Sequence, residues 1–73
     1  MSNIRIFIDN PLRVDDEVDI MDKQYHYLVN VMRVKVGDTI KLINWKDGEF
    51  LSDIIFFNKK RLVLKNLEKI KYF

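Results

Sequence analysis

Apolar and polar residues alternate along several short stretches of this chain, which is the pattern of β-strands with one buried face. The alternation is present in residues 4–9 and again in 17–21, 39–44, 49–57 and 61–67. Each stretch is bounded by residues that favour turns, so the pattern predicts five short strands. The partly apolar tail from residue 67 onward fits either a sixth strand or a chain cut at a domain boundary.

One stretch has the periodicity of a helix instead. The apolar positions with i, i+3, i+4 and i+7 spacing are Tyr25, Leu28, Val29 and Met32. The spacing predicts a helix that runs to about Arg33, with the Asp22 carboxylate capping its first turn. Gly37-Asp38 then predicts a turn into the next strand, and Asp47-Gly48 predicts a hairpin.

One helix among five or six strands indicates a mostly β, α+β fold, a small mixed barrel whose open side is plugged by the helix. With 73 residues, the chain is predicted to form a single domain over residues 1–73 with one small core. Strand 49–57 is predicted to be the most buried, because Ile54-Ile55 and Phe56-Phe57 are apolar on both faces. One face is expected to lie in the barrel, and the other under the helix or under a missing neighbour.

Composition excludes several classes of protein. Hydrophobic residues at 48% and charged residues at 33% are typical of a folded globular chain. The absence of cysteine excludes disulfides and thiolate metal sites, and a single histidine argues against zinc. Neither a signal peptide nor a membrane span is predicted, which favours a cytoplasmic protein that does not bind membranes.

The distribution of charge is more informative than the net charge of +2. Residues 1–32 hold three basic and six acidic side chains, whereas residues 33–73 hold ten basic and five acidic ones. Such an asymmetry can present a positive surface to phosphates, although a merely solvated face is the alternative. Tyr27 and Trp45 are candidate stacking faces for unpaired bases, with packing as the alternative.

Candidate catalytic chemistry is sparse. His26 has no neighbouring carboxylate or nucleophile in the sequence, and a lone histidine on a helix is usually structural. The acidic residues in 15–19 lack the spacing and the glycine of a calcium loop. A phosphate-binding glycine loop is absent, because Gly37 and Gly48 are the only glycines. We therefore predict no catalytic residue, no cofactor and no metal site in this chain.

The block from His26 to Asp38, with the sequence His-Tyr-Leu-Val-Asn-Val-Met-Arg-Val-Lys-Val-Gly-Asp, resembles the N-terminal PUA-like domain of the RsmE family. The similarity continues through Ile40-Lys41-Leu42 and Gly48-Glu49-Phe50-Leu51, and residues 5–9 are similar to the first strand of the family. Members of this family are bacterial methyltransferases that form 3-methyluridine in small-subunit ribosomal RNA from S-adenosylmethionine.

The resemblance implies a PUA-like barrel of five to six strands that positions small-subunit ribosomal RNA for a ribosomal RNA (uridine-N3) methyltransferase. In the family, a C-terminal knotted SPOUT domain binds S-adenosylmethionine and dimerises. That domain lies outside these 73 residues. The chain alone is therefore expected to be catalytically inactive and to hold no cofactor, whereas the full-length protein is expected to be a homodimer.

The family pattern also suggests an RNA-facing surface, whose members in this chain are Arg5, His26, Asn30, Arg33 and Lys35. His26, Asn30 and Arg33 follow i, i+4 and i+7 spacing, so on a helix they share a stripe turned away from the core. A structural alternative for Arg33 is an ion pair with an acid such as Asp38.

Two positions of this chain depart from the family pattern. Asn30 stands where members often have a basic residue, and Asn44-Trp45 replaces an Asp-Gly pair, which makes that loop bulkier.

The alternative function is a free-standing OB or SH3-like barrel that binds single-stranded nucleic acid or a protein partner. The coding sequence beyond Phe73 discriminates the two, because only a methyltransferase continues into a knotted α/β domain.

Overall fold

The computed structural model describes residues 4–72, and its secondary structure is mostly β. Its elements in chain order are β1 (Arg5–Phe7), β2 (Glu17–Met21), α1 (Asp22–His26), one π-helical turn (Tyr27–Val31), β3 (Thr39–Asn44), β4 (Gly48–Phe57) and β5 (Arg61–Lys71). We call α1 and the π-helical turn together the helical segment. The predicted α+β class, with one helical region among five strands, is confirmed.

The strands form one sheet in the order β1-β3-β4-β5-β2. β1 pairs with β3 in parallel, and the other pairs are antiparallel. The sheet curls into a half-barrel whose edges are β1 and β2. The helical segment follows β2 directly, and the Gln24 side chain donates a hydrogen bond to the Phe7 carbonyl of β1 at 2.6 Å. The helical segment therefore bridges the opening, as the barrel prediction required.

The core lies on the concave face of the sheet. Ile6, Leu42 and Phe50 stand opposite one another on β1, β3 and β4, and all three are buried. Tyr25 and the fully buried Leu28 cover them from the helical segment. Burial of each such side chain stabilises the fold by about 1.5–3 kcal/mol. Among the residues described, no helix has the length and apolar character needed to cross a membrane.

Two strands differ from their predicted extents. Pairing in β1 is limited to Arg5–Phe7, although Ile4 and Ile8 each exchange one further backbone hydrogen bond with β3. β5 continues to Lys71 because its tail pairs with the start of β4, with irregular register near Phe50. The tail is thus an extension of the fifth strand and not a sixth one.

The predicted burial of β4 does not extend to the end of the strand. Ile54 is buried, but Ile55 is 40% exposed and Phe56 is 44% exposed. The reason is the length of the neighbouring strand: β3 pairs with β4 only as far as Asp53. Beyond that residue β4 projects past β3 and pairs with β5 alone.

The helix also departs from its predicted form. It ends at Val31 rather than Arg33, and the Met32 N–H donates to the carbonyl of Tyr27, five residues earlier, at 2.9 Å. This wider π-type turn changes which side chains face the core, so Met32 is 39% exposed. Asp22 does not cap the helix: it has φ +58° and makes no side-chain capping bond, because β2 runs up to Met21 and the chain turns abruptly there.

Candidate nucleic-acid interface

Four of the five predicted RNA-facing residues lie on the helical segment and just after it. His26 ends α1, and Asn30 lies in the π-helical turn. The Asn30 amide nitrogen lies 3.0 Å from Nδ1 of His26. This contact uses Nδ1 of the ring and leaves Nε2 without a partner among the hydrogen bonds of the described residues. The exposed imidazole therefore has Nε2 available to a ligand.

Arg33 lies two residues after the end of the helical segment and has the left-handed conformation, with φ +54°. The next residue, Val34, donates its N–H to the Leu28 carbonyl at 3.1 Å, which closes the segment. Helix ends commonly use this conformation, usually with glycine. The Arg33 side chain is exposed, and the ion pairs found within residues 4–72 do not include it. The alternative considered for Arg33, an ion pair with Asp38, is therefore not formed.

Lys35 begins a tight turn that holds its position. The Asp38 N–H donates to the Lys35 carbonyl at 2.9 Å, and the Asp38 carboxylate accepts the Lys35 N–H at 2.8 Å. Gly37 has φ +96°, which a type II turn requires at its third residue. Two further backbone bonds attach Gly37 and Asp38 to Ile54 of β4. The predicted turn is confirmed, and it fixes the backbone of the exposed Lys35 against the sheet.

Arg5 lies apart from the other four residues, on the outer face of β1. Its Nε is 3.8 Å from the Glu49 carboxylate, and the Glu49 side chain is only 4% exposed. A buried carboxylate needs such a partner, so Arg5 has a structural role. Its own side chain is 51% exposed, which leaves the rest of the guanidinium accessible. In the part of the chain described, Arg5 shares no hydrogen bond or ion pair with the other four residues.

The structure places a second aromatic ring, that of Phe7, beside Trp45. The rings of Phe7 and Trp45 have centroids 5.4 Å apart and an interplanar angle of 36°. Both remain accessible, with Phe7 51% and Trp45 72% exposed. Trp45 was a candidate stacking face, but Phe7 was not. The alternation of β1 places Phe7 on the outer face of the sheet. Its position beside Trp45 follows only from the pairing of Phe7 with Ile43, because Ile43 precedes Trp45 by two residues.

Most basic side chains in the described part of the chain have no acidic partner at contact distance. The two ion pairs found between residues 4 and 72 are Arg5 with Glu49 and Arg61 with Asp19. The positive charge of the second half is therefore largely accessible to an external anion. Residues 4–72 contain no cluster of His, Asp or Glu with the geometry of a metal site.

Comparison with known proteins is consistent with this geometry. Residues 20–65 match the family model described as RNA methyltransferase PUA domain. A ribosomal RNA small subunit methyltransferase E from Rickettsia conorii is 35% identical over 68 residues, which are 92% of this chain and 28% of that protein. The enzyme of the same name from Buchnera aphidicola is 29% identical over 66 residues, 90% of this chain and 26% of that protein. The chain thus spans little more than a quarter of these relatives.

Solved structures share the fold. A ribosomal RNA small subunit methyltransferase E from Neisseria gonorrhoeae, bound to S-adenosyl methionine, superposes with a TM-score of 0.78 at 24% identity. The superposed region is 92% of this chain and 28% of the Neisseria chain. A putative methyltransferase from Legionella pneumophila gives a TM-score of 0.86 at 18% identity, over 97% of this chain and 29% of its own. Since the family match extends over residues 20–65, more than half of the sequence, this chain belongs to the RNA methyltransferase PUA domain family.

Proposed function

We propose that this domain binds small-subunit ribosomal RNA through a surface formed by His26, Asn30, Arg33 and Lys35. The observation that carries the proposal is the pair of exposed cations, Arg33 and Lys35. Arg33 has a left-handed backbone, and the backbone N–H of Lys35 is hydrogen-bonded to the Asp38 carboxylate. Neither cation has an acidic partner within residues 4–72, so binding a phosphate breaks no existing ion pair. Cations placed this way supply the charge that phosphate recognition requires.

His26 and Asn30 extend this surface with neutral hydrogen-bonding groups. The Asn30 amide holds the ring of His26 through Nδ1, which leaves Nε2 for a ligand. Hydrogen-bonding side chains of this kind suit a ribose hydroxyl, a base edge or a phosphate oxygen. Arg5 is the fifth member of the proposal, because its guanidinium has donors beyond the Nε that faces Glu49.

The whole-protein part of the proposal comes from the relatives. Three of them are named ribosomal RNA small subunit methyltransferase E, and one of these three, the Neisseria structure, contains S-adenosyl methionine. We infer that this domain is the N-terminal, RNA-positioning part of a ribosomal RNA (uridine-N3) methyltransferase. In this proposal a C-terminal SPOUT domain binds S-adenosylmethionine, catalyses methyl transfer and forms the homodimer, and the protein acts in the cytoplasm.

The proposed function predicts that binding to RNA depends strongly on salt. Contacts to two to four phosphates are expected to give a slope of log affinity against log salt of about −1.5 to −3, a loss of about 8- to 60-fold between about 50 and 200 mM salt. Fluorescence anisotropy of a labelled small-subunit ribosomal RNA fragment measures this slope. An affinity that stays constant over the same range of salt would contradict the proposal.

Arg33 tests the location of the interface. The substitution Arg33→Gln is expected to weaken binding and to reduce the salt slope by about one unit, because one phosphate contact is lost. The melting temperature is expected to stay unchanged, since Arg33 is exposed and has no ion pair within the described residues. Arg33→Gly is a second test: glycine accepts φ +54° without strain, so it removes the charge while keeping or raising stability.

The matched control is Lys65→Gln. Lys65 is an exposed residue of β5 that stands opposite Glu17 of β2 and Asp53 of β4, an acidic environment that disfavours phosphate. This variant removes the same charge and should leave the salt slope nearly unchanged. Equal losses for Arg33→Gln and Lys65→Gln would show that net charge, and not this surface, determines binding. A fall in stability for Arg33→Gln with an unaltered slope would assign Arg33 a structural role instead.

A further inference from the structure

The Phe7 and Trp45 rings form an exposed aromatic surface on the outer face of the sheet, separate from the helical segment. Large aromatic side chains normally bury most of their area, yet Phe7 is 51% exposed and Trp45 is 72% exposed. Their centroids are 5.4 Å apart. Ile43, the partner of Phe7 on β3, is buried, with a relative exposure of 2%. Both rings therefore keep a large accessible area beside a buried position of the sheet.

The loop that carries Trp45 is held by hydrogen bonds on both sides. The Asn44 side chain accepts the Lys46 N–H at 2.8 Å and donates to the Asn10 carbonyl at 2.7 Å. The Asp47 carboxylate accepts the Leu12 N–H at 3.0 Å. Because these bonds order the loop before any ligand arrives, little conformational entropy remains to be lost when a ligand stacks on Trp45.

The charges around the aromatic pair suit a polyanion. Arg5 lies two residues before Phe7 on the same face, and Lys41 stands directly opposite Arg5 on β3. Lys46 is exposed and adjoins Trp45 in the chain. Of the nearby acids, Glu49 is buried behind Arg5, and the Asp47 carboxylate accepts the Leu12 N–H. The exposed Asp9 lines one cavity together with Lys46, on the side of the loop that holds Asp47. The surface therefore combines two ring faces with cations at its margin.

We propose that the Phe7–Trp45 pair is a stacking platform for an unpaired base of single-stranded RNA, with Arg5 and Lys41 placed to contact the adjoining phosphates. The inference rests on the proposed RNA-binding function and extends it from the helical segment to the outer face of the sheet. Aromatic faces combined with a basic margin are the common means of binding single-stranded nucleic acid, because every base has a π-face. Two rings are a small area for a stable protein partner, which further favours a single base.

Tryptophan fluorescence tests this platform directly, because Trp45 is the only tryptophan. A short single-stranded oligouridylate with a fluorescent end label is titrated, and anisotropy and tryptophan emission are followed together. Quenching of Trp45 is expected to follow the anisotropy curve. The comparison ligand is an oligonucleotide of equal length with abasic sites, which keeps the phosphates and should bind more weakly with no quenching.

Variants give an independent measure. Trp45→Ala is expected to weaken binding about 5- to 150-fold, whereas Trp45→Phe should retain most of the affinity. The matched control is Phe56→Ala. Phe56 is another exposed ring with a cation nearby, since the Arg61 guanidinium carbon lies 5.9 Å from the centroid of the Phe56 ring. This variant should bind RNA like the unaltered chain. Melting temperatures identify any variant that is not folded, and the quenching measurement needs no variant.

The outcomes separate the two proposals. If anisotropy rises while Trp45 emission stays constant and Trp45→Ala binds normally, the platform is overturned and the RNA-binding function stands. If the unaltered chain produces no anisotropy change with either the oligouridylate or a ribosomal RNA fragment, both are overturned. A change in Trp45 emission with protein concentration in the absence of RNA, accompanied by dimer formation, would assign the rings to a contact between two copies and overturn the platform.

Discussion

Replacing Asn66 with alanine is expected to lower the free energy of unfolding by about 2–4 kcal/mol, because its buried amide connects three parts of the fold. Asn66 and Ser52 are both fully buried, and the Ser52 hydroxyl donates to Oδ1 of Asn66 at 2.7 Å. The amide nitrogen of Asn66 donates to the Arg13 carbonyl at 2.9 Å. Its backbone also exchanges hydrogen bonds with Asp15 and Asp16. The residue thus holds the loop before β2 against β5.

The loss has two sources. Alanine leaves the Ser52 hydroxyl without its acceptor in a site closed to water, and it frees the Arg13 carbonyl from its donor. A domain of this length is typically stable by about 4–11 kcal/mol, so the substitution removes a large share of the total. Denaturation in urea, followed by Trp45 fluorescence, measures the change in the free energy of unfolding.

The matched control is Asn58→Ala. The Asn58 side chain also accepts two hydrogen bonds, from the N–H groups of Lys60 and Arg61, but it lies in an exposed turn. Water can replace the lost acceptor there, so we expect a cost of only about 0.5–1.5 kcal/mol. A similar loss of stability in the two variants would show that burial of the Asn66 amide is not the source of its effect.

The second large effect is expected at Gly48, where alanine should lower the free energy of unfolding by about 2–4 kcal/mol. Gly48 has φ +107°, a conformation that residues with a side chain rarely adopt. A Cβ there would also lie 2.3 Å from the Lys71 carbonyl oxygen, a backbone atom of β5. Since both atoms belong to paired strands, relief of the clash requires the β4–β5 pairing to shift.

Gly37→Ala provides the comparison for Gly48→Ala. Gly37 also has a positive φ, +96°, but no atom lies within 4 Å of the position a Cβ would occupy. Only the backbone strain then applies, and we expect a loss of about 1–2 kcal/mol. The difference between the two variants in chemical denaturation isolates the steric term at the β4–β5 contact. Equal losses would mean that the approach of Lys71 to Gly48 does not constrain the fold.

Strands and turns were predictable because their signals are local. The two-residue alternation at 17–21 and 39–44 matches the bounds of β2 and β3. Gly37 and Gly48 marked two turns because both require a positive φ, and both have one. The end of β4 was not predictable in this way. Its exposure depends on where β3 stops, which the residues of β4 do not encode.

The helical segment shows how tertiary contacts change a correct periodicity. Tyr25 and Leu28 are buried and Val29 packs partly buried against the core, as the spacing predicted, so only Met32 of the predicted inward face is exposed. The i→i−5 bond from Met32 to Tyr27 then widens the helix, and the left-handed Arg33 ends it early. A sequence pattern assumes a uniform helical pitch, and it cannot show where packing between β1 and β2 alters that pitch.

The side chains available to the candidate site can be listed from the amino-acid sequence: the basic second half, the cations after the helix and a single tryptophan. Their grouping in space follows from the pairing of strands. Parallel pairing of β1 with β3 places Phe7 beside Trp45, and the sheet places Arg5 next to a buried Glu49 instead of His26. The physical reason is that propensity and periodicity act between near neighbours in the chain, whereas strand register between distant segments is set by packing of the shared core.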